Sequence, residues 1–287
     1  MSSTLVRNHR QTAAAPSAEA ITRARDWAEI QERMLVPLYE AVYKRLDAGS
    51  ATRLLGIGCG SGLALLIAAA RGASVTGVDS HAERIALARE RLLPGADGEM
   101  APAGGRAGRT RLVHGGPADA SDAGSGTCAG PPFNLLTAFE PIGCTAGDSD
   151  GLVPAVEDAV PLMERGSAVV LTGWGPPERC ATSAVLRVAA RPADEARRPL
   201  RDDLEEVAAR AGLQLDGSGR VACPFGYADM KSAVRGLLST GLFDAAIQAA
   251  DRAQVKKEVA EALHPHLRRD GTVWMPNVFR YVVARTA

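Results

Sequence analysis

Between residues 20 and 47 the apolar positions Ile21, Trp27, Ile30, Met34, Leu38, Val42 and Leu46 recur every three to four residues, the period of a helix with one buried face. Pro37 lies inside this run and divides it into two helices, because its ring removes a backbone donor. From residue 50 the pattern changes. Short apolar runs at 54–57, 75–79, 111–114, 133–139, 167–172, 213–222 and 272–284 read as strands, and helical periodicity fills 64–70, 82–93, 152–163 and 200–211 between them. The run at 167–172 is apolar without alternation, as in a strand covered on both faces. Pro276 marks a bulge or an edge in the last run. Strands alternating with helices predict an α/β fold with a doubly wound sheet of about seven strands, preceded by N-terminal helices. A helical insertion at 229–263 separates the last two strands. The stretches 94–109 and 117–132, rich in Gly, Ala, Pro, Ser and Asp, read as mobile loops.

Chemistry enters at the first strand. Leu54-Leu55-Gly56-Ile57 runs into Gly58-Cys59-Gly60-Ser61-Gly62, and the next strand ends on Asp79. Glycines let the backbone turn tightly and approach a ligand closely, and the helix that follows points free N–H groups at it. A carboxylate at the end of the second strand can accept hydrogen bonds from the two hydroxyls of a ribose, so the unit reads as a Rossmann-like nucleoside-binding half. Its spacing selects among nucleosides. The dinucleotide pattern G-x-G-x-x-G needs a glycine or alanine at position 63, where Leu63 stands, or, starting from Gly56, a glycine at position 61, where Ser61 stands, so both frames miss it.

The triplet G-x-G-x-G with its following carboxylate resembles the class I S-adenosylmethionine-dependent methyltransferases, over roughly residues 20–285 and most clearly 50–90. The resemblance implies that S-adenosyl-L-methionine is held by Gly58, Cys59, Gly60, Ser61 and Gly62, by Asp79 on the ribose, by Ser80 and His81 beside the adenine, and by Phe139. It also implies that the N-terminal helices close over the cofactor, making Trp27 and Tyr39 lid residues, unless both simply pack on the core. The insertion would cap the acceptor, with Trp174, Phe225 and Tyr227 lining the substrate pocket. Two positions depart from the family pattern. Gly56 stands where an acidic residue usually orients the methionine portion, and Gly115-Gly116-Pro117 stands where a carboxylate and an N–H usually read the adenine. Asp119 or Asp122 can replace that carboxylate by a shift of the loop. Asp79 is expected to serve the ligand alone, so that Asp79→Ala leaves the melting temperature of the empty protein nearly unchanged.

Glu140, after the fourth strand, is placed to act as a general base or to hold an amine, or else is a solvated loop carboxylate. His114, His264 and His266 read as structural or surface residues, and no metal site is expected. Neither a nucleophile elbow nor a P-loop lysine is present, which disfavours hydrolase and kinase chemistry.

At 287 residues and zero net charge, the chain is long enough for one large core and has no global field drawing it to nucleic acid or to an anionic membrane. Its five cysteines are scattered without C-x-x-C pairs, which fits a reducing, cytoplasmic setting. No segment has the apolar length of a membrane span. The expected organisation is a disordered leader at 1–19, lid helices at 20–49, a core at 50–222, a cap at 223–271 and a closing core strand at 272–287. The expected function is methyl transfer to an O or N atom of a small molecule, in specialised (natural-product) biosynthesis. The alternatives are a non-methylating cyclisation or rearrangement on the same fold, and a non-catalytic binding homologue.

Overall fold

The computed structural model describes residues 17–93, 110–121, 132–143, 149–189 and 203–287. The loop stretch 94–109, most of 117–132 and Asp122 lie outside them, as does all but the end of the expected leader. Ser17 caps the first helix, its Oγ accepting the Ala20 N–H at 3.1 Å, so ordered structure begins before residue 19.

In chain order the elements are α1 (Ala18–Asp26), α2 (Val36–Arg45), β1 (Arg53–Ile57), α3 (Leu63–Ala70), β2 (Ser74–Asp79), α4 (Ala82–Leu92), β3 (Thr110–His114) and β4 (Phe133–Ile142). They continue with α5 (Leu152–Ala159), β5 (Met163–Trp174), α6 (Thr182–Leu186), α7 (Asp203–Arg210), β6 (Gln214–Ala222), β7 (Phe225–Tyr227), α8 (Met230–Leu238), α9 (Asp244–Ala249), α10 (Arg252–Leu263), β8 (Val273–Met275) and β9 (Val278–Arg285).

Seven strands form one sheet in the order β3-β2-β1-β4-β5-β9-β6. β1 to β5 are parallel, and β9 runs antiparallel between β5 and β6. The order reverses at β1, whose C-terminal end therefore opens a crevice, the usual ligand position in such sheets. Two apolar layers cover the faces. One packs α2, α3, α4 and the cap on the sheet through Leu38, Tyr43, Leu65, Ile85 and Phe279, and the other packs α5 and α7 through Val156, Leu171 and Val207.

The final stretch, expected as one core strand, divides. β8 pairs with β7 in a separate two-stranded sheet, and only β9 enters the main sheet. Pro276 and Asn277 form the break: proline cannot donate to a ladder, while the buried Asn277 side chain accepts the Thr182 N–H at 3.1 Å and its own carbonyl accepts the Cys223 N–H at 2.9 Å.

Candidate functional site

β1 ends at Ile57, and the next residues turn through left-handed backbone at Gly58 and Gly60, both at φ 58°. The loop is fastened to β2 by its own amides. Cys59 N–H donates to the Val78 carbonyl at 3.0 Å, and Gly60 N–H donates to Asp79 Oδ2 at 2.9 Å. The other carboxylate oxygen accepts the His81 N–H at 2.8 Å and lies 3.0 Å from His81 Nδ1. Burial pushes the Asp79 carboxyl up, but the His81 side-chain and backbone hydrogen bonds, the Arg84 charge and the Gly60 N–H outweigh it and hold the group below its ordinary range. Asp79 is thus a buried, ionised carboxylate at the crevice edge. Burial, followed by the Asp79 and Glu32 charges, pushes the neighbouring Cys59 thiol up, so it stays protonated and unreactive.

The other wall comes from the N-terminal segment. Between α1 and α2 the chain makes a π-helical turn at Trp27–Gln31 and a 3₁₀ turn at Glu32–Leu35, and the Glu32 N–H reaches back five residues to the Trp27 carbonyl. In a regular α-helix residues five apart point about 140° away from each other. The wider π turn brings them back to one face, and both side chains face the glycine loop. A Cβ on Gly60 would lie 2.9 Å from Glu32 Oε1 and 3.0 Å from Trp27 Nε1, so only glycine fits there.

Glu32 is 2% exposed, and a carboxyl group so buried requires partners. Ser61 Oγ donates to Glu32 Oε2, Arg91 Nη1 donates to the same oxygen at 2.8 Å, and Arg91 also donates to the Ser61 carbonyl at 2.9 Å. Glu32 Oε1 has only the Leu63 N–H, at 3.4 Å. Trp27 Nε1 has no acceptor and is the sole buried side-chain polar atom among the described residues without one. The Arg84 guanidinium stacks 4.7 Å above the Trp27 ring.

Between these walls runs a narrow cleft lined by Trp27, Glu32, Tyr39, the glycine loop, Phe139 and Glu140. Phe139 packs against Tyr39 at 4.7 Å and against Tyr43 at 5.7 Å, and Tyr43 anchors α2 by donating to the Ala64 carbonyl at 3.1 Å. Burial and then the Glu32 charge push the Tyr39 phenol up, so it is a neutral donor. Glu140 is exposed at the mouth of the cleft, its Oε2 lying 3.6 Å from where a Gly58 Cβ would be.

Several residues singled out in the sequence are placed elsewhere. Trp174, Phe225 and Tyr227 do not line the cleft. Trp174 and Phe225 pack with Phe279 at centroid distances of 4.7–5.9 Å, and Phe225 and Tyr227 are buried. Tyr227 donates its hydroxyl to Gln31 Oε1 at 2.9 Å, so it ties the cap to the lid. Arg23 pairs with Asp244 at 2.7 Å, Asp26 with Arg235 and Glu19 with Arg252, so among the described residues the N-terminal helices and the cap are joined at four points. Asp119 folds back on its own loop and accepts the Gly116 N–H at 2.8 Å. Ser80 and His81 sit at the exposed rim, the Ser80 carbonyl lying 3.0 Å from His114 Nε2.

Sequence reasoning missed Glu32, Arg84 and Arg91. Their only sequence signal is that each falls in a helical stretch already supplied with solvent-facing charge, which conceals a buried one. Gly56, lacking the usual acid, faces Leu65 Cδ2 at 3.0 Å from its Cβ position, so the space for a side chain there is already filled.

The methyltransferase domain family matches residues 55–99, the glycine loop and Asp79 included. No curated protein sequence matches the chain significantly. Among solved structures, the chain is similar to YjhP from Escherichia coli (18% identity, 93% of this chain and 100% of the other, TM-score 0.51). It is similar also to an S-adenosylmethionine-dependent methyltransferase from Thiobacillus denitrificans solved with S-adenosyl-L-homocysteine (17% identity, 94% and 99%, TM-score 0.51). A third is YcgJ from Bacillus subtilis (12% identity, 87% and 98%, TM-score 0.51).

Proposed function

With the class I S-adenosylmethionine-dependent methyltransferase fold as premise, we propose that this chain binds S-adenosyl-L-methionine in the cleft at the glycine loop and methylates an O or N atom of a small molecule. The observation that carries this reading is the ionised Asp79 carboxylate, fastened to the glycine loop at the edge where the strand order reverses. Two features fit an adenosyl amino acid: the buried Trp27 N–H without an acceptor, and the carboxyl groups of Glu32 and Glu140 lining the cleft that would take a cationic ligand. Asp79 would hold the ribose hydroxyls, with His81 Nδ1 giving way. At the adenine end the usual polar contacts are not offered, because Asp119 already takes the Gly116 N–H and Pro117 has none.

When bound, the cofactor supplies a methyl group on a cationic sulfur. Glu140, at the mouth of the cleft, accepts the proton of an acceptor hydroxyl or amine, and the aromatic wall of Tyr39 and Phe139 excludes water and fixes the line of approach. The narrow, roofed cleft and zero net charge support a small molecule over a nucleic acid. We place the enzyme in cytoplasmic, specialised metabolism, in keeping with Cys59, Cys180 and Cys223 all being free thiols.

Calorimetry with S-adenosyl-L-homocysteine and with NAD tests the cofactor. Micromolar binding of the first and none of the second is expected, and the reverse preference defeats the proposal. Mass spectrometry of candidate acceptors incubated with S-adenosyl-L-methionine tests the reaction. A product heavier by one methylene unit supports it, a product of unchanged mass indicates rearrangement, and binding without turnover indicates a non-catalytic homologue.

A further inference from the structure

Two polar atoms of the N-terminal segment converge on one face of Gly60. Glu32 Oε1 and Trp27 Nε1 both lie within 3.0 Å of the point where a Gly60 Cβ would be. One is an acceptor and the other a donor. The internal pairing of Glu32 is concentrated on Oε2, which takes Ser61 and Arg91, and this leaves Oε1 facing the cleft with a single long contact. The Trp27 N–H is buried and lacks an acceptor, although most buried donors in proteins are satisfied. Arg84, stacked on the indole, adds positive charge beside that donor. A group that satisfies both atoms at once presents a cationic donor to Oε1 and an anionic or neutral acceptor to Nε1, a few ångströms apart. An α-amino acid head, with ammonium and carboxylate on one carbon, has that form.

Resting on the cofactor reading above, we propose that Glu32 and Trp27 are the specificity-determining residues for the amino-acid end of the adenosyl ligand, Glu32 Oε1 accepting from its ammonium and Trp27 Nε1–H donating to its carboxylate. Recognition of this end lies on the lid and not on the sheet, where Gly56 offers no side chain and Leu65 fills the space. Ligand binding and lid closure are then one event. The same Glu32 carboxylate that fastens the lid to Ser61 and Arg91 also takes the ligand, so a ligand without the amino-acid end gains nothing from the lid.

The test compares S-adenosyl-L-homocysteine with 5′-methylthioadenosine, which keeps the nucleoside and lacks the amino-acid head, by calorimetry on wild type, Glu32→Gln and Trp27→Phe. In wild type the first ligand is expected to bind at least tenfold more tightly. Each variant should weaken it by roughly tenfold, about the 1.4 kcal/mol of one lost hydrogen bond to a charged group, and leave 5′-methylthioadenosine unchanged. Trp27→Phe keeps the ring under Arg84 and removes a donor that the empty protein leaves unsatisfied, so its melting temperature should hold or rise; this variant stands alone if Glu32→Gln does not fold. Equal affinity of the two ligands in wild type, or equal weakening of both in the variants, overturns the assignment while leaving the cofactor reading intact. Failure of wild type to bind either ligand overturns both.

Discussion

The Gly60 amide donates to the Asp79 carboxylate across 2.9 Å, joining the tip of the glycine loop to the end of β2. A group read in the sequence as serving the ligand alone therefore also holds the loop in shape before any ligand arrives.

Asp79→Ala should accordingly do two things. S-adenosyl-L-homocysteine affinity falls ten- to more than a hundredfold with the loss of charge-assisted bonds of roughly 1.5–3 kcal/mol. The melting temperature of the empty protein falls as well, because the buried Gly60 N–H loses its acceptor, at a cost of about 1–3 kcal/mol. This reverses the expectation from sequence that stability would be nearly unaffected. Calorimetry and thermal denaturation on one preparation check both, and an unchanged melting temperature would remove Asp79 from the loop's support.

The depressed Asp79 pKa predicts a pH dependence with a fixed sign. A carboxylate more acidic in the folded than in the unfolded chain contributes stability that is fully present above the ordinary Asp range, near pH 4, and lost as pH falls through the folded value. Wild type should exceed Asp79→Asn in melting temperature at pH 6 by a margin that narrows steadily below about pH 4. A margin that stays constant to pH 3 contradicts the assignment.

Glu140→Gln keeps the size and hydrogen-bonding capacity of the side chain and removes its basicity. Because Glu140 is exposed at the cleft mouth, folding and S-adenosyl-L-homocysteine affinity should hold while kcat falls by about 10²–10⁴. Turnover at the wild-type rate leaves positioning of the acceptor as the whole contribution of the site.

Two glycines separate loop shape from loop proximity. Gly60→Ala forces a left-handed residue, at about 1–2 kcal/mol, and drives a methyl group against Glu32 and Trp27, so both stability and ligand affinity should fall. Gly116→Ala, at φ −100° with nothing within 4 Å of the new methyl, should change stability by less than about 0.5 kcal/mol. Equal effects in denaturant titrations would mean that the lid does not press on the loop.

The glycine loop, Asp79 and the sheet were legible because their signals are local: left-handed turns need glycine, and covered strands are apolar without interruption. The pairing of Trp27 with Glu32 was not, since a helical reading at 3.6 residues per turn puts them on different faces and only the π turn unites them. Trp174, Phe225 and Tyr227 stand apart from the cleft for a different reason. An aromatic side chain after a strand suits a ligand pocket and an apolar core equally, and here the rings found one another first. Pro276 was seen, but a bulge within a strand and a crossing between two sheets give the same sequence signal.

The chain leaves the main sheet at Ala222 and returns at Val278, and these two residues are partners across neighbouring strands, with Cys223 N–H bonded to the Asn277 carbonyl just beyond. Everything between them hangs from a doorway one strand spacing wide, about 4.8 Å. Lengthening or replacing what lies beyond that doorway leaves the ladder below in register, and closing a longer excursion adds only about 0.6 kcal/mol per doubling of its length. The cap is thus built like an interchangeable tool head on a fixed shank. A different head can be set on the same shank without disturbing the sheet, provided that it keeps a grip on Asp26 and Gln31.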